Sequence, residues 1–147
     1  MPENQPSDTS ARAEAQRHLE RSAVLFQKNL LQESENAVRE AIAADPSFAN
    51  AYSSLGAVLK SQGRLVEAEN AYRVAIRVDP NYGLAYSQLG SLLKEQGRLK
   101  EAEEFYRQAI IIHPKAWLNY IELGEILKQQ NRLDEANSMF AKAQQLL

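Results

Sequence analysis

The sequence predicts an all-α solenoid of helix–turn–helix units, and three observations predict it. First, the block from Ala49 to Tyr82 recurs as Gly83 to Ala116 and again, three residues short, as Trp117 to Leu147; a Leu-Gly pair marks each step, at 55–56, 89–90 and 123–124. A fixed period of 34 residues belongs to stacked supersecondary units, none of which can bury its apolar face alone. Second, Tyr52, Leu55, Gly56 and Leu59 fall at i, i+3, i+4 and i+7, one face of a helix, while Leu65, Ala68, Tyr72, Ala75 and Ile76 trace a second. Third, Gln62-Gly63 breaks the first helix and Asp79-Pro80 ends the second.

The copies agree in detail. With Ala49 as position 1, aromatic residues stand at position 4 (Tyr52, Tyr86, Tyr120) and position 24 (Tyr72, Tyr106, Phe140). Alanines stand at position 20 (Ala68, Ala102, Ala136) and position 27 (Ala75, Ala109, Ala143), with proline at position 32 (Pro80, Pro114). Gly56, Gly90 and Gly124 lie within a helix, where glycine costs about 1 kcal/mol against alanine. Close approach of the two helices opposite the small Ala68, Ala102 and Ala136 is the expected compensation, and a bulky residue at Gly90 should overpack the crossing.

This pattern resembles the tetratricopeptide repeat, over about nine-tenths of the chain. The resemblance implies a right-handed α-α superhelix of four helix–turn–helix units, at 15–48, 49–82, 83–116 and 117–147, within a repeat domain of residues 10–147. Residues 1–9 are polar, contain two prolines and lack periodicity, and read as a disordered leader. Thr9 or Ser10 is expected to cap the first helix.

The first copy departs from the others. His18 replaces the tyrosine, Arg21-Ser22 replaces Leu-Gly, and Ser34 replaces the alanine. These residues read either as a site or, more simply, as the polar cap that a first repeat needs where it meets water. Trp117 reads as a partner anchor or, preferably, as packing at the junction between repeats. At the other end Gln144 stands where Ile42, Ile76 and Ile110 stood, which suits the end of an array. Met139, Phe140, Leu146 and Leu147 nevertheless form an expected apolar face, for self-association or for a longer chain.

Composition narrows the function. The net charge is −2 with a pI near 5.8, without the basic excess of a nucleic-acid binder. There is no cysteine, hence no disulfide or thiolate chemistry, and no apolar run long enough to insert in a membrane. A cytoplasmic protein is expected. The two histidines, His18 and His113, have no metal-site spacing, and no nucleophile motif or phosphate loop is present, so neither catalysis nor a metal or cofactor is expected. His113 takes the place of Asp45 and Asp79 before proline and reads as a turn residue. Arg64, Arg98 and Arg132 each precede a glutamate by three residues (Glu67, Glu101, Glu135) and read as local ion pairs.

The resemblance also implies where a partner binds. The first helices of the repeats line a concave groove through positions 2, 5, 6, 9, 12 and 13. In the second repeat these include Asn50, Ser53, Ser54, Ala57 and Lys60. In the third they include Leu84, Ser87, Gln88, Ser91 and Lys94, and in the fourth Leu118, Ile121, Glu122, Glu125 and Lys128. Lys60, Lys94 and Lys128 form a column that reads either as a receptor for an acidic peptide or as solvated surface. Where the family's chaperone-tail clamp has lysine, asparagine and other basic groups, this chain has Leu19, Ala23, Ser54, Ser91 and Glu95. The asparagine column of the repeats that precede sugar-transferase domains is also missing, with Glu20, Ser54, Gln88 and Glu122 in its place. The expected function is a non-catalytic scaffold that binds a protein or peptide segment. The alternatives are an N-terminal module of an enzyme whose catalytic domain lies beyond Leu147, and a self-assembling protein that associates through its C-terminal helix.

Overall fold

A computed structural model describes residues 8–147, and among them there are eight α-helices and no strand. In order they are α1 Asp8–Gln27, α2 Leu31–Ala44, α3 Ala49–Ser61, α4 Leu65–Val78, α5 Gly83–Glu95, α6 Leu99–Ile112, α7 Trp117–Gln129 and α8 Leu133–Leu146. Residues 1–7 of the expected leader lie outside the described residues. Helix α1 already includes Asp8, so Thr9 and Ser10 stand in its first turn and not ahead of it.

The chain divides between Pro80 and Asn81 into two compact units. In the first, α1 pairs with α2 and α3 with α4, and α2 packs on α3. The second repeats this with α5 on α6, α7 on α8, and α6 on α7. Each pairing is closed by the same turn. Asn29, Gly63, Gly97 and Asn131 occupy equivalent positions in the left-handed region, with φ of 59°, 78°, 76° and 60°. Asparagine and glycine tolerate that region best. The next residue then reaches back to an orphan carbonyl: the Arg64, Arg98 and Arg132 N–H groups donate to Leu59, Leu93 and Leu127 at 2.9 Å. The core of the second unit is aliphatic, with Leu89, Leu92, Leu93, Leu123, Ile126 and Leu127 all fully buried.

Within each unit the second hairpin is tied to the first by its position-4 tyrosine. The Tyr52 hydroxyl donates to the Pro46 carbonyl at 2.9 Å, and that of Tyr120 to the Pro114 carbonyl at 2.8 Å. At His18 the equivalent side chain instead faces Glu40 of α2, with Nδ1 3.1 Å from the carboxylate, and Arg21 hydrogen-bonds the same carboxylate. His18 and Arg21 therefore knit α1 to α2.

The helix-internal glycines have a different reason from the one expected. A Cβ on Gly56 would lie 2.5 Å from Tyr72 Cε1, one on Gly90 2.8 Å from Tyr106 Cδ2, and one on Gly124 2.5 Å from Phe140 Cε1. The space is taken by the position-24 ring on the partner helix, and the small position-20 alanine is not what demands the glycine. The first repeat supports this account. Its position 24 is Val38, which is fully buried, and there the glycine's place is held by Ser22. Ser22 and Ser34 instead bond reciprocally, each hydroxyl to the other's carbonyl at 3.1 and 3.0 Å, with the two oxygens 2.8 Å apart. The same geometry corrects the reading of Phe140 as part of a free apolar face: its ring packs against Gly124 inside the α7–α8 pair.

Candidate functional site

In the second unit α5 and α7 are the first helices of adjacent repeats and make a small direct contact. With α6 they line an open pocket of about 190 Å³, formed by Ser87, Gln88, Ser91, Tyr106, Leu118, Asn119 and Glu122. Ser87 lies one turn before Ser91 on α5, and Leu118 one turn before Glu122 on α7, so each pair shares a face. The Ser87 hydroxyl donates to Asn119 Oδ1 at 2.8 Å, which bridges the two helices. Tyr106 is 2% exposed. Burial first, and the charge of Glu122 second, push its phenol well above the ordinary value despite a hydrogen bond with Ser91, so the hydroxyl stays neutral. At the rim Lys94 Nζ pairs with Glu122 Oε2 at 2.8 Å.

Five of the expected groove residues, Ser87, Gln88, Ser91, Leu118 and Glu122, thus come together in one pocket. Leu84 and Leu118 are each about half exposed, while Ile121 and Glu125 are partly buried and Lys128 is exposed. Glu125 makes no ion pair among the described residues. Lys94 is already held by Glu122, so the lysine column is not a uniform row of open ammonium groups. In the first unit Asn50, Ser54, Ala57 and Lys60 are partly buried, and the Ser54 hydroxyl reaches Asn50 Oδ1 at 3.4 Å. Ser53 is 1% exposed, so it offers a partner nothing and leaves the candidate surface.

Sequence reasoning missed Tyr106 and Asn119. Tyr106 marks the repeat at position 24, yet its buried ring also backs the pocket. Asn119 stands where the second and third copies have Ala51 and Ala85, and that polar exception was the available signal. Trp117, expected to pack in a junction, remains 43% exposed at the start of α7. His113 caps α6, and its ring covers Gly83, where a Cβ would come within 2.8 Å of Nε2.

The turn arginines do more than pair locally. Arg64 bonds Glu67 as expected, but its Nη1 also reaches Glu35 of the preceding repeat at 2.8 Å, and Arg39 bonds Glu35 from the other side at 2.8 Å. In the second unit Arg132 and Arg107 hold Glu103 in the same way, each at 2.8 Å. Burial alone would raise both carboxyls. Hydrogen bonds from Arg39 and Gln62 on Glu35, and from Arg107 and Arg132 on Glu103, together with the arginine charges, outweigh it and hold both below the ordinary value. Among the described residues no group of three or more His, Cys, Asp or Glu side chains is placed to hold a metal ion, and no helix is long and apolar enough to cross a membrane.

Two profiles of the tetratricopeptide repeat match the sequence, one over residues 47–115 and one over residues 93–146. The chain belongs to the tetratricopeptide repeat family. As an all-α repeat of the solenoid class it is similar to several solved structures. The crystal structure of MamA shares 22% identity, over 95% of this chain and 85% of that one, with a TM-score of 0.81. The structure of pilF from Pseudomonas aeruginosa shares 22%, over 92% of this chain and 62% of that one, with a TM-score of 0.86. The first TPR of Spaghetti (RPAP3) bound to the HSP90 peptide SRMEEVD shares 19%, over 82% of this chain and 95% of that one, with a TM-score of 0.75. At these identities the likeness is one of fold. No curated protein matches the sequence.

Proposed function

We propose that this tetratricopeptide repeat chain is a non-catalytic interaction module, and that its second unit holds an extended protein segment between α5 and α7. The observation that carries this reading is the pocket itself. Hydroxyl and amide groups of Ser87, Gln88, Ser91 and Asn119 converge on it beside an exposed leucine, Leu118. A few placed polar groups beside apolar surface are what fix a ligand in orientation. The TPR of Spaghetti, bound to an HSP90 peptide, is an instance of this fold holding a short peptide. An acidic tail of that kind is not the partner favoured here. Ser91 and Glu95 stand where basic clamp residues would be needed in the second unit, and Leu19 in the first is 7% exposed.

The test is capture from the cells that make the protein, with Ser87→Arg as the control. Arginine at 87 fills the pocket and breaks the bond to Asn119. The expected result is loss of a specific partner with an unchanged helical circular dichroism spectrum. Equal recovery of the same partner by both proteins would exclude the α5–α7 surface.

A further inference from the structure

We infer that the α5–α7 surface selects a cationic side chain, lysine or arginine, carried on an extended segment with an apolar neighbour seated on Leu118. This rests on the peptide-holding reading above and gives it a chemistry. The only charged side chain that lines the pocket is Glu122. Its attraction for Lys94 cancels the lysine that would otherwise draw a carboxylate. One turn further along the same face, Glu125 is partly buried and makes no ion pair among the described residues. Bringing an acidic residue here would set it against Glu125, with Lys94 and Glu122 already engaged with each other.

The neutral lining points the same way. Asn119 Oδ1 and the hydroxyls of Ser87 and Ser91 offer acceptor lone pairs. Ammonium and guanidinium groups supply only donors, so they match acceptors without leaving any of their own unsatisfied. The lining also suits the stem of such a side chain. Lysine and arginine bury their methylenes along apolar surface and place the charged head at the polar end. Leu118, 53% exposed, and the Tyr106 ring supply the apolar part, and Glu122 the polar end.

The experiment is selection from a phage-displayed library of random extended peptides on the full chain. It is run in parallel on the Ser87→Arg protein and on the Glu122→Gln/Glu125→Gln protein. The expected result is enrichment of lysine and arginine over aspartate and glutamate by about tenfold at one position, the discrimination of one charge-assisted hydrogen bond. That preference should vanish in the double glutamine variant, with an unchanged circular dichroism spectrum. Enrichment of acidic residues, or of basic residues to the same degree in the double variant, overturns the inference and leaves the peptide-holding reading standing. Failure of any sequence to be enriched over the Ser87→Arg control overturns both.

Discussion

The glycine–aromatic crossing is the feature most open to measurement, and Gly56 is where it is tightest. A methyl group there would lie 2.5, 2.6 and 2.8 Å from Cε1, Cδ1 and Cζ of Tyr72. Carbon pairs rest at about 3.5–4.0 Å, so the ring must retreat by about 1 Å. Tyr72 is 2% exposed, so a retreating ring moves against packed neighbours. Overpacking of this kind costs about 1–3 kcal/mol. Alanine returns about 1 kcal/mol of helix propensity. Gly56→Ala should therefore destabilise by about 0–2 kcal/mol, where helix propensity alone forecasts a gain. The decisive variant is the pair. Tyr72→Val alone empties part of the core and should cost about 2–4 kcal/mol. Combined with Gly56→Ala it approaches the arrangement of the first repeat, where Val38 stands in the ring's place and Ser22 in the glycine's. The double variant should be more stable than the sum of the singles by about 0.5–3 kcal/mol. Urea titration followed by helical circular dichroism reads all four proteins. A higher midpoint for Gly56→Ala, or additivity within about 0.5 kcal/mol, would refute the account.

Three further outcomes follow from the polar contacts. Glu103→Ala removes the shared partner of Arg107 and Arg132. Because those arginines are 43% and 37% exposed, the loss should be about 1–2 kcal/mol, below that of a fully buried pair. Adding Arg132→Ala should cost little more, which denaturation of the two variants checks. Ser22→Ala and Ser34→Ala should each destabilise by about 0.5–1.5 kcal/mol, since each removes one buried hydroxyl while the other still donates to a backbone carbonyl that alanine keeps. The double alanine variant should cost nearly the sum of the two singles, and a double variant no worse than one single in a thermal melt would contradict two separate bonds to backbone carbonyls. Finally, Glu35 and Glu103 have folded pKa values below the ordinary 4.5, so the fold binds fewer protons than the unfolded chain in that range. Their stabilisation is complete above about pH 5 and is lost as pH falls through the depressed folded values. Glu35→Gln/Glu103→Gln should have a shallower acid transition than the parent, and identical acid profiles would remove these two carboxylates as the cause.

The architecture was legible because its cause is local. Each helix is marked by a 3.6-residue apolar period, and each turn by a residue suited to positive φ, so Gly63 and Gly97 announce the break from sequence alone. What was not legible depends on pairs. Position 20 and position 24 are both on the second helix, and the sequence offered the small alanine as the glycine's natural complement. Only the geometry shows that the large ring occupies the space. Glu35 was invisible for the same reason. Its partner Arg64 lies 29 residues away, and the sequence shows Arg64 a nearer glutamate, Glu67, to which it also binds.

The same distinction governs the charge of the proposed interaction surface. A column of lysines at one per repeat looks like a row of equal charges because the repeat makes its members equivalent. Their surroundings are not equivalent. The residue that meets Lys94 is Glu122, which stands at position 6 of the following copy, and position 6 varies freely among serine, glutamine and glutamate. A lysine followed by glutamate is neutralised, while Glu125 on the same face makes no ion pair among the described residues. The charge a partner meets is therefore decided by the register between one helix and the next, where the copies differ, and not by the residues that make them alike.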